Sequence, residues 1–550
     1  MRIERPRIGS VTLSIVTAAF LLFVPNRMFW SKALTYFVGH EGQLALLAAG
    51  LFLLSLALLT IFSVNYLIKP LFILLIVIAA AASYYQDAFG ILVTRDMVQN
   101  VWLTTPSEAK HLITPDFVLH MLIFGVIPSA LIAWVRVIHR RFFSKVLFNS
   151  LVIFPSLAAT VVVVLLAYPI FASTFRLHHD LIGSLNPSAP VVAALQYAYS
   201  ETVDRNLVAG PLGRDAKQAH AVLSSAKPVL TVIVVGETAR AQNFGLNDYA
   251  KNTTPEVGAR GVSNFTNVSS CGTATAVSLP CMFSIYPRKD YSQYKGLSTE
   301  NLTDVLTHAG LTVKWFDNDT GAYRVADRIP YEFLPDTKDK RFCSGGECLD
   351  DILVDRLERE LPGIKSNTVL ILHQLGSHGP AYHQRYPENF ERFKPACHTS
   401  QFADCSREEI VNAYDNTIAY TDLQLARIID LLKQHTEFAS SMLYLSDHGE
   451  SLGENGIYLH GAPYFMAPST QTHVPMFAWF SDGYQSVMPT SLPCLAENRD
   501  ASLSHDNFFH TALGVIGVST AVYDKGLDAF AACRSPVVAK NLPANEASVQ

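Results

Sequence analysis

The sequence has 550 residues, more than one ordinary soluble core accommodates, since domains usually span about 100–200 residues. Hydrophobic residues make up 49% of the chain and charged residues only 16%, below the roughly 25% of a typical soluble protein, which excludes a disordered chain, a collagen-like fibre and a small disulfide scaffold. The net charge of −5, from 42 Lys+Arg against 47 Asp+Glu, argues against a nucleic-acid-binding protein, and the mean hydropathy of +0.22 places part of the chain in lipid.

The apolar excess is concentrated before residue 175. Five apolar stretches lie there: Ile8–Pro25, Leu44–Val64, Pro70–Tyr84 (continuing toward Val93), Phe117–Val135 and Leu151–Ala172. Crossing a bilayer takes about 20 apolar residues, so the sequence predicts a transmembrane domain of five helices over residues 1–175. The first stretch also resembles a signal peptide, because Arg2, Arg5 and Arg7 precede it, but no convincing small-x-small cleavage site follows.

The basic residues of the short loops predict the orientation of these spans. One side carries eight: Arg2, Arg5, Arg7, Lys69, Arg136, Arg140, Arg141 and Lys145. The other side carries four: Arg27, Lys32, Arg95 and Lys110. Because Lys and Arg accumulate on the cytoplasmic side, we expect a cytoplasmic N-terminus and a domain after residue 175 on the far side of the membrane.

The cysteines test this orientation independently. All eight lie at or beyond Cys271, in near-neighbour pairs: Cys271/Cys281, Cys343/Cys348, Cys397/Cys405 and Cys494/Cys533. This even count is typical of disulfides in an oxidising compartment, with the pairing inferred from proximity alone. A zinc–cysteine site is the competing interpretation, and the sequence contains no C-x-x-C to support it.

Residues 176–222 are mixed in polarity and are predicted to be a bridging linker, and residues 223–550 are predicted to form a catalytic domain. Short strand-like runs recur in that domain: Val229–Val235, Leu311–Phe316, Thr368–His373, Met442–Ser446 and Val474–Phe480. Helical patterns lie between them: Asn301–Ala309, Leu349–Leu361 and Arg407–Gln434. This alternation predicts an α/β domain with a mostly parallel sheet, whose ligands lie beyond the carboxyl ends of the strands.

Polar side chains follow several of these predicted strands. Glu237 follows the first, Asp447 and His448 follow the strand near 445, His378 follows the strand near 370, and His460 comes twelve residues after His448. Carboxylate and imidazole groups at one sheet edge are typical zinc ligands. The alternative for Glu237 alone is a surface carboxylate at a strand end.

The segment 269–281 (SSCGTATAVSLPC) combines a glycine and small hydroxyl residues with an apolar run, which predicts a loop that enters a helix. Helix N-termini favour phosphoryl groups, and a hydroxyl held there against a metal can become a nucleophile. An ordinary N-cap role is the alternative. Spacing alone leaves Thr273, Thr275 and Ser278 open as the reactive residue.

Together, four motifs resemble a known family, the lipid A phosphoethanolamine transferases, bacterial inner-membrane enzymes that include mobile polymyxin-resistance proteins. The motifs are VVGETAR at 234–240, SCGTATAVS at 270–278, GSHGP at 376–380 and SDHGES at 446–451. The resemblance covers essentially the whole chain and implies five spans, a bridge and an alkaline-phosphatase/sulfatase-like domain outside the membrane.

The resemblance also implies the roles of individual residues. It implies that Thr275 is the nucleophile that becomes modified with phosphoethanolamine. It implies a zinc ion surrounded by Glu237, Thr275, Asp447 and His448. His378 and His460 match positions that contact the phosphoryl group or a second zinc.

Membrane-side residues of the family match this chain after the third span, at Asn100, Thr104 and Glu108. Their spacing of i, i+4 and i+8 would place them on one helix face, toward a lipid headgroup, although Pro106 limits such a helix. The family also has a phosphate-facing basic residue in the segment of Arg324 and Arg328, and we assign it to Arg328.

The function that the resemblance implies is zinc-dependent transfer of phosphoethanolamine from phosphatidylethanolamine to a phosphate of lipid A. The reaction would pass through a phospho-Thr275 intermediate and weaken the binding of cationic peptides such as polymyxins. The implied location is the bacterial inner membrane with a periplasmic catalytic domain, and no nucleic-acid partner is expected.

Three rival functions remain at the level of the sequence. The nearest is a phosphoethanolamine or phosphoglycerol transferase that acts on another envelope glycan, such as the Kdo/heptose region or a glucan. A periplasmic sulfatase or phosphodiesterase is disfavoured, since no Cys/Ser-x-Pro-x-Arg signature is present. A transporter or sensor is disfavoured because His120 is almost the only ionisable residue within the spans.

Overall fold

The computed structural model describes residues 5–204 and 207–535, so Arg2, counted above among the basic residues, lies outside it. The described residues form two compact units: 5–98 with 113–199, and 99–112 with 200–204 and 207–535. The division therefore lies within the helix Ser188–Asp204, and the segment Gln99–Leu112 belongs with the second unit.

The first unit is built of apolar helices. Its helices are Ser10–Phe23, Arg27–Tyr36, Glu41–Ile61, Ile68–Phe89, Pro115–Trp134, Phe142–Leu166, Tyr168–Leu177 and His179–Gly183. Among the described residues, 4 helices are long and apolar enough to cross a membrane, or up to 5 if Ser10–Phe23 and Arg27–Tyr36, bent by 66°, form one span. The predicted membrane domain is confirmed with four to five apolar helices, and the first apolar stretch counts as a span only if Ser10–Phe23 is taken together with Arg27–Tyr36.

The longest membrane helix shows why this unit suits a lipid environment. Phe142–Leu166 leaves apolar side chains exposed along its length, including Leu147, Leu151 and Phe154. Where it packs on Glu41–Ile61, Gly50 leaves room for Val163, since a Cβ at residue 50 would lie 3.1 Å from Val163 Cγ1. Exposed apolar surface and close small-residue contacts are both typical of helices in a bilayer.

The second unit contains an eight-stranded sheet. Its strands in chain order are β1 Val229–Gly236, β2 Ser263–Ser269, β3 Thr312–Asp317, β4 Tyr331–Phe333, β5 Thr368–His373, β6 Ala439–Ser446, β7 His473–Phe480 and β8 Leu503–Ser504. They are ordered β8-β2-β7-β6-β1-β5-β3-β4, and only β7 runs antiparallel to its neighbours. The predicted mostly parallel sheet is confirmed.

The strand predictions succeeded where both faces are buried. All residues of β1, β5 and β6 are buried, which explains their continuous apolar and β-branched runs. The strand β2 was missed, because its sequence Ser-Asn-Phe-Thr-Asn-Val-Ser carries polar residues on a partly exposed face. Its pairing with the neighbouring antiparallel strand β7 is a tertiary contact that local sequence does not report.

Helices cover this sheet: Thr275–Met282, Leu302–His308, Asp351–Glu360, Arg407–Gln434 and Phe508–Ile516. The longest, Arg407–Gln434, starts at a capping box in which the Ser406 hydroxyl accepts from the Glu409 amide at 3.3 Å and the Glu409 carboxylate accepts from the Ser406 amide at 2.6 Å. Most of this helix is buried, and it was predicted with the bounds that the structure has.

All four predicted disulfides are present: Cys271–Cys281, Cys343–Cys348, Cys397–Cys405 and Cys494–Cys533. No free cysteine remains among the described residues. Every pair lies in the second unit, in agreement with an oxidising surrounding for that unit.

Candidate active site

The candidate site lies beyond the carboxyl ends of the central strands. Glu237 directly follows β1, and Asp447 and His448 directly follow β6, its parallel neighbour. The parallel register places Ser446 beside Gly236, so the residues after both strands project from the same edge. All three side chains are at most 1% exposed.

Thr275 is the hydroxyl residue that reaches this edge. It is the first residue of the helix Thr275–Met282 and is 5% exposed. Its Oγ1 donates to Glu237 Oε2 at 3.1 Å and lies 3.3 Å from His448 Nε2. The predicted nucleophile and three predicted metal ligands are therefore brought together in one buried cluster.

The orientation of His448 is set by the backbone. Its Nδ1 lies 2.9 Å from the Gly449 carbonyl, which accepts the ring proton and leaves Nε2 as the nitrogen with a free lone pair. That Nε2 lies 3.3 Å from Asp447 Oδ2 and 3.6 Å from Glu237 Oε1. Burial lowers the pKa of His448 to about 4, so the imidazole is neutral and available as a ligand near neutral pH.

A strained turn holds Glu237 in place. Thr238 has a φ of 58°, in the left-handed region that a β-branched residue rarely adopts. Its amide donates to Asp447 Oδ1 at 3.1 Å, its carbonyl accepts from the Tyr414 hydroxyl at 2.7 Å, and its hydroxyl donates to the Glu237 carboxylate. The contacts with Asp447 and Tyr414, which belong to two separate elements, fix a conformation that the local sequence does not favour.

The loop before Thr275 is also held by specific contacts. A Cβ at Gly272 would lie 2.9 Å from the Ser278 amide nitrogen, so only glycine allows this approach. The Ser278 hydroxyl donates to the Asp447 carbonyl, and the disulfide Cys271–Cys281 joins the loop to the helix. The helix N-terminus that carries Thr275 is thereby tied directly to the strand end that carries Asp447.

The cluster fits a divalent cation. Ligand atoms of Glu237, Asp447 and His448 lie within 4.8 Å of one another, and Asp447 Oδ2 is buried without a hydrogen-bond partner. Burial, followed by the nearby Asp447 and Asp319 carboxylates, raises the pKa of Glu237 well above its usual value. A bound cation would relieve both the repulsion and the unpaired oxygen, and this mixed oxygen and nitrogen donor set is one that zinc accepts.

Two further histidines stand beside this cluster. The ring centroids of His448 and His460 are 4.5 Å apart, and those of His460 and His378 are 5.2 Å apart. His460 Nδ1 donates to Glu450 Oε2 at 2.9 Å, and the buried Glu450 also accepts from the Tyr382 hydroxyl at 2.6 Å. Both predicted substrate-binding histidines thus belong to a row of neighbouring rings that includes His448, the contact of Thr275, and His460 is oriented by a carboxylate.

Glu108 also reaches this group, within the second unit. Its Oε1 lies 3.4 Å from His378 Nε2, and burial, followed by the Asp319 carboxylate, raises the pKa of Glu108 to about 7. Asn100 and Thr104 are only half-buried, and the Thr104 hydroxyl donates to the Asn100 carbonyl at 2.7 Å. Their role toward a lipid stays a prediction.

The single helix face proposed for Asn100, Thr104 and Glu108 is wrong. The structure has two short helices, Arg95–Leu103 and Pro106–Leu112, with Thr104 and Thr105 between them. Pro106 opens the second helix because it has no amide proton to continue the first. Asn100 and Glu108 therefore lie on different helices, with Thr104 between them, and the three residues share no single helix face.

Arg328, the predicted phosphate-binding residue, is bound to a carboxylate of the second unit. Its guanidinium makes two hydrogen bonds to the Asp304 carboxylate, at 2.6 and 2.7 Å, and Asp304 in turn completes the capping box of the helix Leu302–His308. The ion pair with Asp304 gives Arg328 a structural role. The contact of Arg328 with a phosphate stays a prediction.

Several polar groups at this edge were not predicted from the sequence. Asp319 and His373 form a second possible ligand set with Glu237, and Glu450 orients His460. A signal for Asp319 and His373 was available, since Asp317-Asn318-Asp319 and His373 end the predicted strands near 316 and 373. No local signal marks Glu450 as the partner of His460.

Comparisons with known families match both units. A family model described as phosphoethanolamine transferase EptA/EptB matches residues 51–202, and a sulfatase model matches residues 230–518. Phosphoethanolamine transferase EptA of Escherichia coli K12 is 40% identical over 479 residues, which cover 86% of this chain and 87% of that protein. Phosphatidylethanolamine transferase Mcr-1 of Escherichia coli is 35% identical over 534 residues, which cover 94% of this chain and 96% of that protein.

A solved structure matches the whole architecture. The integral membrane protein lipooligosaccharide phosphoethanolamine transferase A (EptA) from Neisseria meningitidis superposes with a TM-score of 0.92 at 37% identity. The match covers 96% of this chain and 100% of that one. The helical unit and the sheet unit therefore both have counterparts in one relative.

Proposed function

The chain belongs to the EptA family of phosphoethanolamine transferases, and we propose that it transfers phosphoethanolamine from phosphatidylethanolamine to a phosphate of lipid A through a covalent intermediate on Thr275. The observation that carries this proposal is the Thr275 hydroxyl, buried at a helix N-terminus and hydrogen-bonded to Glu237 beside His448. A hydroxyl with a carboxylate and an imidazole as neighbours is arranged for nucleophilic catalysis.

We infer that Glu237, Thr275, Asp447 and His448 hold a zinc ion. A zinc ion bound by them would lower the pKa of the Thr275 hydroxyl and stabilise negative charge on the phosphoryl oxygens. The unpaired Asp447 Oδ2 and the free Nε2 of His448 support this assignment.

In the first step, Thr275 Oγ1 forms a bond to phosphorus of the donor lipid, and the bond from phosphorus to the diacylglycerol oxygen breaks. The hydroxyl proton of Thr275 is directed toward Glu237 Oε2, its acceptor at 3.1 Å. The departing diacylglycerol oxygen takes up a proton. His460 suits that role, because its Nδ1 is engaged by Glu450 and its Nε2 is left to hold the proton.

In the second step, a phosphate oxygen of the acceptor attacks phosphorus of the modified Thr275, and the bond from phosphorus to Oγ1 breaks. Oγ1 regains its proton from Glu237, and His460 takes up the proton that the attacking phosphate releases, so the starting state returns. The buried position of Thr275 restricts water, which would otherwise hydrolyse the intermediate.

Membrane residence supports the choice of lipid substrates. The chain has membrane-spanning helices in its first unit, and both proposed substrates are membrane lipids. The Kdo(2)-lipid A phosphoethanolamine 7''-transferase of Escherichia coli K12, whose named acceptor corresponds to the rival Kdo region, is only 26% identical over 484 residues, against 40% for EptA. We place the protein in the inner membrane with a cytoplasmic N-terminus and a periplasmic second unit, because the loops before residue 175 carry more Lys and Arg on the first side.

The covalent step is tested by intact-mass analysis of the full chain incubated with phosphatidylethanolamine vesicles and no acceptor. We expect a phosphoethanolamine adduct that maps to Thr275 and is absent in Thr275→Ala. Thr273→Ala is the matched control, since the Thr273 hydroxyl donates to the Ala462 carbonyl outside the cluster. An adduct on Thr275→Ala, or none on the unmodified sequence, would overturn the assignment.

The acceptor is tested separately, by mass spectrometry of lipids from bacterial cells that express the protein. We expect phosphoethanolamine on a lipid A phosphate. Its appearance only on the Kdo/heptose region or on a glucan would contradict the proposed acceptor and leave the covalent step standing.

A further inference from the structure

A second group of buried ligand atoms lies on the opposite side of Glu237 in the sheet order. The strands β1, β5 and β3 are parallel neighbours, and their register aligns His373 with Val235 on one side and with Asp317 on the other. Glu237, His373 and Asp319 therefore emerge from three adjacent strand ends at the same edge. Their ligand atoms lie within 4.8 Å of one another.

His373 has the orientation of a metal-binding histidine. Its Nδ1 donates to Asp317 Oδ2 at 3.0 Å, and the same oxygen accepts from Trp315 Nε1 at 2.8 Å. The other ring nitrogen, Nε2, is fully buried and has no hydrogen-bond partner. A carboxylate that holds one ring nitrogen commonly presents the other nitrogen to a metal.

Asp319 presents a second unpartnered atom. It is 4% exposed, and its Oδ1 has no hydrogen-bond partner, while its Oδ2 accepts from the Thr320 hydroxyl at 2.8 Å and lies 3.9 Å from His373 Nε2. A buried polar atom without a partner is unfavourable, so two such atoms on neighbouring residues of one cluster indicate a missing ligand.

We propose that Glu237, Asp319 and His373 bind a second divalent cation, with Glu237 shared between this site and the one at Asp447 and His448. One imidazole nitrogen and two carboxylates suit zinc or manganese better than magnesium or calcium, which prefer oxygen alone. A small cavity lined by Glu108, Thr320 and His378, among others, borders Asp319.

The rival arrangement has no ion. In it, His373 carries a second proton and its imidazolium lies between Asp317 and Asp319. The two arrangements differ in the number of metal ions that the protein holds. The number of bound metal ions can be measured without donor or acceptor lipids. A result that contradicts the second cation site is therefore distinguishable from a result that contradicts the proposed transfer.

The first test counts ions. The full chain in detergent is stripped with a chelator, dialysed to equilibrium against Zn²⁺ and analysed for metal content. We expect His373→Gln and Asp319→Asn each to hold one zinc ion fewer per chain than the unmodified sequence. The matched control is His510→Gln, another buried histidine outside the cluster, whose Nδ1 accepts from the Asp524 amide at 3.0 Å. Equal zinc content in His373→Gln and the unmodified chain would overturn the proposal.

The second test does not depend on any variant folding. Crystals of the unmodified chain are soaked in Zn²⁺ until anomalous density appears beside Asp447 and His448. We expect a second peak at about 2.1 Å from His373 Nε2, the usual zinc–nitrogen distance. A filled first site without that second peak would show that His373 is paired through a proton, and the proposal would be wrong.

Discussion

Thr275 differs from the other hydroxyl residues of its segment in what its oxygen contacts. The Thr273 hydroxyl donates to the Ala462 carbonyl and the Ser278 hydroxyl to the Asp447 carbonyl, so both are used in holding the loop. Only Thr275, among these three, points its oxygen at a carboxylate and an imidazole. The sequence left the three candidates open, and contacts with residues at least 38 positions away separate them.

Replacement of Asp447 by asparagine tests the metal site with little change in shape. In Asp447→Asn the oxygen that accepts from the Thr238 and His448 amides is retained, while the unpaired Oδ2 becomes an NH₂ group that cannot bind a cation. We expect zinc affinity to fall by at least about 10–100-fold, the loss typical even of outer-shell changes. Elemental analysis measures this, with exposed Asp482→Asn as control; unchanged zinc content would contradict the ligand role.

Glu450 is predicted to be a positioning residue for His460. In Glu450→Gln the amide can present NH₂ instead of oxygen to His460 Nδ1, so we expect kcat to fall by about 10–100-fold with little change in KM. Tyr382→Phe is the comparison, because it removes a hydrogen bond to Glu450 and keeps the carboxylate beside His460. Equal losses in both variants, together with lower thermal midpoints, would indicate a purely structural role.

At the scale of elements, disulfides close loops of different lengths in the second unit. The cysteines of Cys494–Cys533 are 39 residues apart, those of Cys271–Cys281 are 10 apart, and those of Cys343–Cys348 are 5 apart. A cross-link stabilises mainly by restricting the unfolded chain, and the effect grows with loop length. The disulfide that closes the longest loop, Cys494–Cys533, should therefore contribute most to the free energy of unfolding.

This ordering is a prediction for paired Cys→Ala variants. Removing Cys494–Cys533 should cost about 4 kcal/mol and removing Cys343–Cys348 about 2 kcal/mol, as loop-closure entropy indicates. Thermal midpoints of the full chain in detergent, compared under reducing and non-reducing conditions, measure the difference. A larger loss from the Cys343–Cys348 pair would mean that local packing, and not the unfolded state, dominates.

At the scale of the whole molecule, a buried ion pair joins separate parts of the second unit. Arg385 donates to the Glu347 carboxylate at 2.8 Å and to the His378 carbonyl at 2.9 Å, while His111 lies 3.3 Å from the same carboxylate. Burial by itself raises the pKa of Glu347, but Arg385 and then His111 outweigh it and hold that pKa well below its usual range. The segment Gln99–Leu112 is thereby linked to the loop that carries His378.

The pH dependence of stability follows from that shift. Because the folded pKa of Glu347 is lowered, the pair stabilises the protein fully above the unfolded pKa of about 4.3, and this stabilisation is lost as the pH falls toward the folded value. At pH 7, Glu347→Gln should cost about 3–5 kcal/mol, since it leaves Arg385 buried without its partner. The difference between the thermal midpoints of variant and unmodified chain should begin to shrink below about pH 4 and should shrink further as the pH falls toward the folded pKa of Glu347.

The control for this prediction is Glu388→Gln, an exposed carboxylate in the same unit. Its midpoint should follow that of the unmodified chain at every pH. A constant offset between Glu347→Gln and the unmodified chain from pH 7 down to pH 3 would show that packing, and not charge, accounts for the loss.

The sequence by itself determined the membrane helices, the central strands and the disulfides. Apolar length, continuous buried runs such as Thr368–His373 and near-neighbour cysteines are local properties, and each predicts its structure without reference to distant residues. Motif resemblance added Glu237, Thr275, Asp447 and His448, and the structure gathers these at one sheet edge.

Only the tertiary structure decided how these groups act on each other. The parallel register of β3, β5 and β1 brings Asp319, His373 and Glu237 together, although the three residues are spread over more than 130 positions of the sequence. The same holds for Glu450 beside His460 and for Thr238 in its left-handed turn, which depends on Tyr414 and Asp447. Local sequence cannot report such contacts, because their energies arise from burial and charge supplied by distant strands.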